Sequence, residues 1–422
     1  MKIRFLLLII LILFCSIFFY GWAVWYVATG GSRFSPSTSR FIIKMASAPS
    51  LFYQEIINER STSIKENKIP DGLSFEKNTS DSAKLDYILL STINKSNHLT
   101  EIQLVNLSNN KILKRWQPDF EEVNYDEFSQ KNSRIYHPIF YKNDIIFSLN
   151  YELFRLNSVT GKLVWKLKTR LHHSIELDAD DNLWVCGTIP YKGKQTSPIQ
   201  ESILNDAIVK IDPESGKIIY QKSIYSILIE NGFKDMFFAQ GVIEKDPIHL
   251  NDIQPALTDG KHWIKGDLLI SIRHKSAVFL FRPSTNKILW LQSGPWLNQH
   301  DCNFINDHEI GIFGNDVYRL FSENILANGY NNQYIYDFDS NKTTTPYTEL
   351  FKQEKIKTLT EGRSRILPNG DIYVEETNYG KIIFGTKNGT IARYVTRLDQ
   401  DNIAMLCWSR YYTQDELKMH YK

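Results

Sequence analysis

Net charge and cysteine are what this 422-residue sequence has least of. Its 49 basic and 47 acidic residues leave a formal charge of +2. A chain that binds nucleic acid or an anionic lipid surface carries a strong basic excess, so neither partner is indicated. The four cysteines, Cys15, Cys186, Cys302 and Cys407, lie far apart and form no Cys-x-x-Cys pair. That spacing removes the usual zinc and thiol-redox arrangements. Cys15 sits in an apolar run. The pairing of Cys186, Cys302 and Cys407 stays open, with buried free thiols the simpler arrangement. Hydrophobic residues make up 42% and charged residues 23%, a balance that excludes disorder as the default.

One apolar run stands out. Phe5 to Ala28 are 24 uncharged residues, long enough as a helix to cross a bilayer. Lys2 and Arg4 precede it, and Tyr20, Trp22, Trp25 and Tyr26 cluster at its far end as an interfacial belt. YVATGGS is a poor cleavage site, so residues 1–28 are expected to be an uncleaved signal anchor. The amino end would lie in the cytoplasm and the rest on the periplasmic side of the inner membrane, although Arg33, Arg40 and Lys44 weaken the charge asymmetry. Residues 29–80 read as a stalk, with a GGSRFSPSTS linker and one or two short helices over 41–67.

Aromatics are rich at 13%, and the remaining chain is strand-like. One unit recurs: an apolar strand, a polar turn closing on Asn or Gly, and a second strand often ending in Trp or Tyr. The copies are LVNLSNNKILKRW, LFRLNSVTGKLVW, IVKIDPESGKIIY, VFLFRPSTNKILW, YIYDFDSNKTTTPY and IIFGTKNGTIARY. Aligned on Lys111, Lys162, Lys217, Lys287, Lys342 and Thr390, they are spaced 51, 55, 70, 55 and 48 residues apart. Hairpins at that interval predict an all-β fold, a six-bladed β-propeller over 81–410 followed by a tail at 411–422.

A second strand pair follows most hairpins. The first strand of each blade lines the central channel, so residues at its start ring one mouth. His137, His173, His249 and His300 fall there, with Glu361–Arg363 in the last copy. Neutral imidazoles and a guanidinium converging on one point form a site for an anionic group to be held and transferred.

Within 246–315 three motifs occur in order: H-x-N at His249 and Asn251, LISIRH ending on Arg273 and His274, and QHD at His300. This order resembles the arylsulfotransferase family, and the resemblance extends over about 130–390. It implies an enzyme that needs no nucleotide sulfate donor. A histidine attacks an aryl sulfate, a sulfohistidine forms, and a phenolic acceptor takes the sulfuryl group. Carried over, His300 is the nucleophile, Arg273 holds the sulfuryl oxygens, and Asn251, His249 and His173 donate hydrogen bonds. No cofactor and no metal is implied. His172 reads as packing and His137 as structural, and His262, His274 and His308 carry no assigned role. Glu361, Arg363, Glu375 and Glu376 read as exposed or ion-paired. The rival reading is a non-catalytic membrane-anchored propeller, either anion-binding or like the scaffold and quinoprotein repeats that TGKLVW and ESGKIIY resemble. The sequence sets no oligomeric state.

Overall fold

The computed structural model describes residues 2–28, then 34–35, 38–39, 41–42, 45–46, 64–66 and 75–77, and 85–421 apart from 94–98, 123–132, 191–202, 240–244, 321–322 and 398–401. The chain divides into two units, Met1–Thr62 and Ser63–Lys422. In the first, residues Lys2–Ala28 form one α-helix. Its Ile9–Val27 stretch is apolar and long enough to span a membrane, which fits an anchor or a signal sequence. Most of the helices expected over 41–67 fall outside the described residues.

The second unit is a six-bladed β-propeller. Six antiparallel sheets of four main strands each form it. The innermost strands are Arg410–Tyr412, Ile135–Tyr141, Leu171–Leu177, Leu250–Pro255, Asp301–Phe304 and Arg363–Ile366 in blades one to six. The strands beside them are buried on both faces, as in Leu268–Ile272 and Asp144–Leu149, because each blade is covered by its neighbours. The outermost strands alternate exposed and covered residues, as in Lys111–Trp116.

Ring closure joins the two ends of the propeller. Arg410, Tyr411 and Tyr412 pair with Leu89, Ile88 and Tyr87, so the last strand of the chain is the innermost strand of blade one. This strand runs past residue 410, where the sequence suggested the blades would end, and a helix, Gln414–His420, follows it. Inside the expected stalk, Phe75–Lys77 adds a fifth strand to blade six, and Ile64–Glu66 pairs with Asn402–Ala404.

The core is divided in the same way. Each of six hydrophobic clusters fills one gap between neighbouring blades. Phe279 and Phe281 of blade four meet Trp184 and Ile208 of blade three. Tyr373 and Phe384 of blade six meet Ile88 and Val105 of blade one across the closure. Burying one such phenylalanine is worth about 1.5–3 kcal/mol. Cys186, Cys302 and Cys407 are buried free thiols, the first two within these clusters.

Candidate active site

The inner strands do not run straight at their starts. Three of them bulge, between Tyr136 and Ile139, His172 and Ile175, and Leu250 and Asp252. Two of these bulges hold a histidine in the left-handed conformation, His137 (φ 49°) and His173 (φ 55°); the third holds Asn251, and the left-handed histidine of blade four, His249 (φ 53°), stands just before its strand. Glu361 (φ 59°) and Trp408 (φ 57°) do the same just before the inner strands of blades six and one. A non-glycine residue there costs about 1–2 kcal/mol and persists only where the surroundings enforce it. A bulge also re-aims the side chain that it carries. The left-handed residue at or just before the inner strand recurs in blades one, two, three, four and six, at the strand end where the sequence places the mouth of the channel.

His173, His249 and His300 converge there. One ring nitrogen of each lies within 4.8 Å of the others. The His173 ring centre is 5.1 Å from that of His249 and 6.2 Å from that of His300. Arg273 follows the second strand of blade four, and its backbone N–H donates to the His249 carbonyl at 3.0 Å. Its Nε is buried and has no partner among the described residues. Three imidazoles at this spacing would suit a transition-metal ion as well as an oxyanion. The fixed charge of Arg273 beside them favours the anion.

The tautomer of His300 is set by its neighbours. Asn315 Nδ2 donates to the carbonyls of Glu361 at 2.7 Å and Thr358 at 3.2 Å, which leaves its Oδ1 as an acceptor. His300 Nδ1 lies 2.6 Å from that oxygen and must therefore carry the proton. The Nε2 lone pair accepts the backbone N–H of Glu361 at 3.1 Å. Gly362 makes this approach possible: its φ is 89°, and a Cβ there would meet Phe313 and Thr358 at 2.6 Å. Burial, and then the Arg273 charge, hold the His300 imidazole well below its ordinary pKa, so it is neutral near pH 7.

The other imidazoles are held differently. His173 Nδ1 lies 2.8 Å from His172 Nδ1, so one of the two donates to the other. Burial first, then neighbouring imidazoles, lower both, with His172 at about 4. His249 Nδ1 lies 2.6 Å from Asp246 Oδ2. Burial lowers Arg273 to about 10, which leaves it charged at neutral pH.

The five residues singled out from the sequence are brought to one region, with one difference in detail. Asn251 is fully buried, and its Nδ2 donates to the Gln299 carbonyl at 2.7 Å. One N–H of that amide is therefore already committed, and its Oδ1 has no partner among the described residues. His137 is buried against Trp408, with its Nδ1 unpartnered among the described residues. Glu361 pairs with Arg134 at 3.0 Å, Arg363 lies 3.5 Å from Asp301, and Glu376 pairs with Lys381. Glu375 is fully buried and accepts the Trp408 N–H at 2.9 Å.

Sequence reasoning missed Asp246, His274, Asn315 and Trp408. His274 stacks on His249, with ring centres 4.5 Å apart, and its Nε2 lies 3.1 Å from Arg273 Nη1. The adjacency of Arg273 and His274 was the available signal for His274. Nothing local marked Asn315, which acts on His300 across 15 residues.

The family model described as arylsulfotransferase (ASST) matches residues 157–397, more than half of the chain. No curated protein matches. Among solved structures, a protein of unknown function from Bacteroides caccae is 12% identical, covers 76% of this chain and 98% of its own, and has a TM-score of 0.47. A streptogramin B lyase is 13% identical, covers 72% of this chain and 77% of its own, and has a TM-score of 0.38.

Proposed function

The chain belongs to the arylsulfotransferase family, and from that premise we propose that it moves a sulfuryl group from an aryl sulfate to a phenolic acceptor through a covalent intermediate on His300. The observation that carries this reading is the neutral, tautomerically fixed His300 beside a charged Arg273 whose buried Nε has no partner among the described residues. In the first step the Nε2 lone pair forms an N–S bond while the ester S–O bond breaks, and the aryloxide leaves with that electron pair. In the second step an acceptor oxygen takes the sulfur and His300 recovers its lone pair.

Sulfuryl transfer resembles phosphoryl transfer: charge spreads over the equatorial oxygens, and positioned donors do most of the catalysis. Arg273 supplies a planar cationic fork for those oxygens. His249, His173 and the uncommitted N–H of Asn251 are the further donors. The N-terminal helix would tether the propeller as a single-pass anchor, with the blades on the periplasmic side of the inner membrane.

One observation favours a second reading, an anion-binding propeller that does not transfer. The Glu361 N–H occupies the His300 lone pair and must be displaced before attack. Incubation with radiolabelled p-nitrophenyl sulfate distinguishes the two. Transfer predicts one acid-labile label per chain at His300, discharged by phenol and absent from a folded His300→Ala variant. Binding without labelling or turnover would establish the second reading. Full activity in His300→Ala would mean that another imidazole is the nucleophile.

A further inference from the structure

We propose that Asp246 and His249 form the acid–base dyad of this transfer, passing one proton between the His249 imidazole and the aryl oxygen. The inference rests on the reading above and adds the group that handles the proton. Asp246 spends both carboxylate oxygens on one residue: Oδ2 lies 2.6 Å from His249 Nδ1, and Oδ1 accepts the His249 backbone N–H at 3.1 Å. Two contacts to the same residue fix the plane of the ring as well as its position.

The protonation pattern follows. Burial alone would raise the Asp246 carboxyl, but the His249 hydrogen bond and the nearby imidazoles outweigh it, and the group lies below the ordinary range. An ionised carboxylate only accepts, so Nδ1 must donate. Nε2 is then the nitrogen that gains and loses a proton. This is the orientation that a carboxylate imposes on a catalytic histidine in hydrolases.

Only His249 has this support among the three converging imidazoles. His173 faces another imidazole, His172, and His300 faces the neutral amide of Asn315. His249 is also more accessible than His300, its side chain 27% exposed while His300 is buried. The charged and titratable groups facing it are Asp246 on its own loop, Arg273 and His274 from the turn after the second strand of blade four, His172, His173 and Asp206 from blade three, and His300 from blade five.

The same loop residue governs Arg273 as well. The Asp246 carbonyl lies 2.7 Å from His274 Nδ1, which must donate to it. His274 Nε2 is therefore an acceptor, and it meets Arg273 Nη1 at 3.1 Å. One residue thus fixes two stacked imidazoles, and through the second it aims the guanidinium.

The proton balance closes over the cycle. As the ester S–O bond breaks, Nε2–H of the His249 imidazolium protonates the departing aryl oxygen and the ring becomes neutral. As the acceptor oxygen attacks the sulfur of sulfo-His300, its proton passes to the same Nε2. The N–S bond breaks, and both histidines return to their starting states.

The test uses the full-length chain in detergent and two esters. Phenyl sulfate, with a basic leaving oxygen, needs the proton, and p-nitrophenyl sulfate scarcely does. Asp246→Asn should slow phenyl sulfate by about 10²–10⁴-fold, the usual scale of general acid catalysis, and p-nitrophenyl sulfate by less than about tenfold. Asp246→Glu should recover part of the loss. In ¹⁵N-histidine spectra, the downfield Nδ1 proton of His249 should vanish in Asp246→Asn and remain in Asp246→Glu. Equal losses for both esters, or an unchanged Nδ1 proton, would overturn the dyad and leave transfer through His300 standing. Wild-type protein that transfers nothing would overturn both readings together.

Discussion

Arg273 acts on the site in two ways, and replacing it separates them. Its guanidinium, charged at neutral pH, offers a buried Nε with no partner among the described residues. Loss of one such donor to a developing oxyanion costs about 10²–10³ in rate, or roughly 2.7–4 kcal/mol. Its charge is also the largest influence after burial holding down the His300 pKa. His300 attacks only when neutral, so activity in the wild type should persist to well below pH 6.5, the ordinary imidazole value. Arg273→Ala removes the largest depressing influence after burial and leaves burial and the neighbouring imidazoles in place. The His300 pKa should rise part of the way back, and the acid limb of the rate profile should move to higher pH. The deficit of the variant should therefore widen as pH falls.

Arg273→Lys keeps the charge and loses the planar fork. It should leave the acid limb near its wild-type position while still slowing transfer. The assay is single-turnover nitrophenol release with p-nitrophenyl sulfate, followed from pH 5 to pH 8. If Arg273→Ala keeps the wild-type acid limb, the guanidinium does not act on His300. If it loses less than about tenfold, the guanidinium does not hold the sulfuryl oxygens.

Two further predictions concern stability. Burial, and then the neighbouring Asp301 and Glu176, push the Asp252 carboxyl well above its ordinary range. The folded chain then keeps a proton that the unfolded chain releases, so this contribution is full below about pH 4 and is lost as pH rises through the folded pKa. Asp252→Asn, which keeps an oxygen for the Cys302 N–H at 2.8 Å, should raise Tm at pH 8 and change it little at pH 4 by calorimetry. Glu176 holds the buried Arg410 of the closing strand by contacts of 2.8 and 2.9 Å. Glu176→Ala should cost about 3–5 kcal/mol in urea unfolding by leaving that charge unpaired, and a Glu176→Leu, Arg410→Met double variant should lose less.

The blade count was legible because the third-to-fourth-strand turns share one backbone device. Asn110, Gly161, Gly216, Asn286 and Asn341 all have positive φ, and each directly precedes a lysine of the aligned set. Asn and Gly tolerate that conformation, so the turns leave a mark that can be read along the chain. The closing strand left no such mark. Its partner, Tyr87–Ile93, lies more than 300 residues earlier, and pairing at that distance has no local signature. Trp408 and Arg410 therefore went unplaced, although one rings the mouth and the other spans the channel to Glu176.

Composition and register found the imidazoles, but not what fixes their protonation. His300 owes its tautomer to Asn315, which is aimed by the carbonyls of Thr358 and Glu361. His249 owes its orientation to Asp246, three residues away in a loop whose turn brings the carboxylate onto the ring. Such partners are selected by the path of the backbone and not by residue type, and a lone Asp or Asn in a loop is most simply a turn former. The left-handed histidines carry the same lesson. Histidine enters the left-handed region more readily than most residues, but that enrichment does not single out His137, His173 and His249 among the ten histidines of the chain. The conformation falls where the inner strands of blades two and three bulge against a buried second strand, and in blade four just before a strand that bulges at Asn251. The site's geometry is thus stored in the strained starts of the strands. It should fail at His173 when that inner strand loses its bulge, and at His249 when the loop loses Asp246.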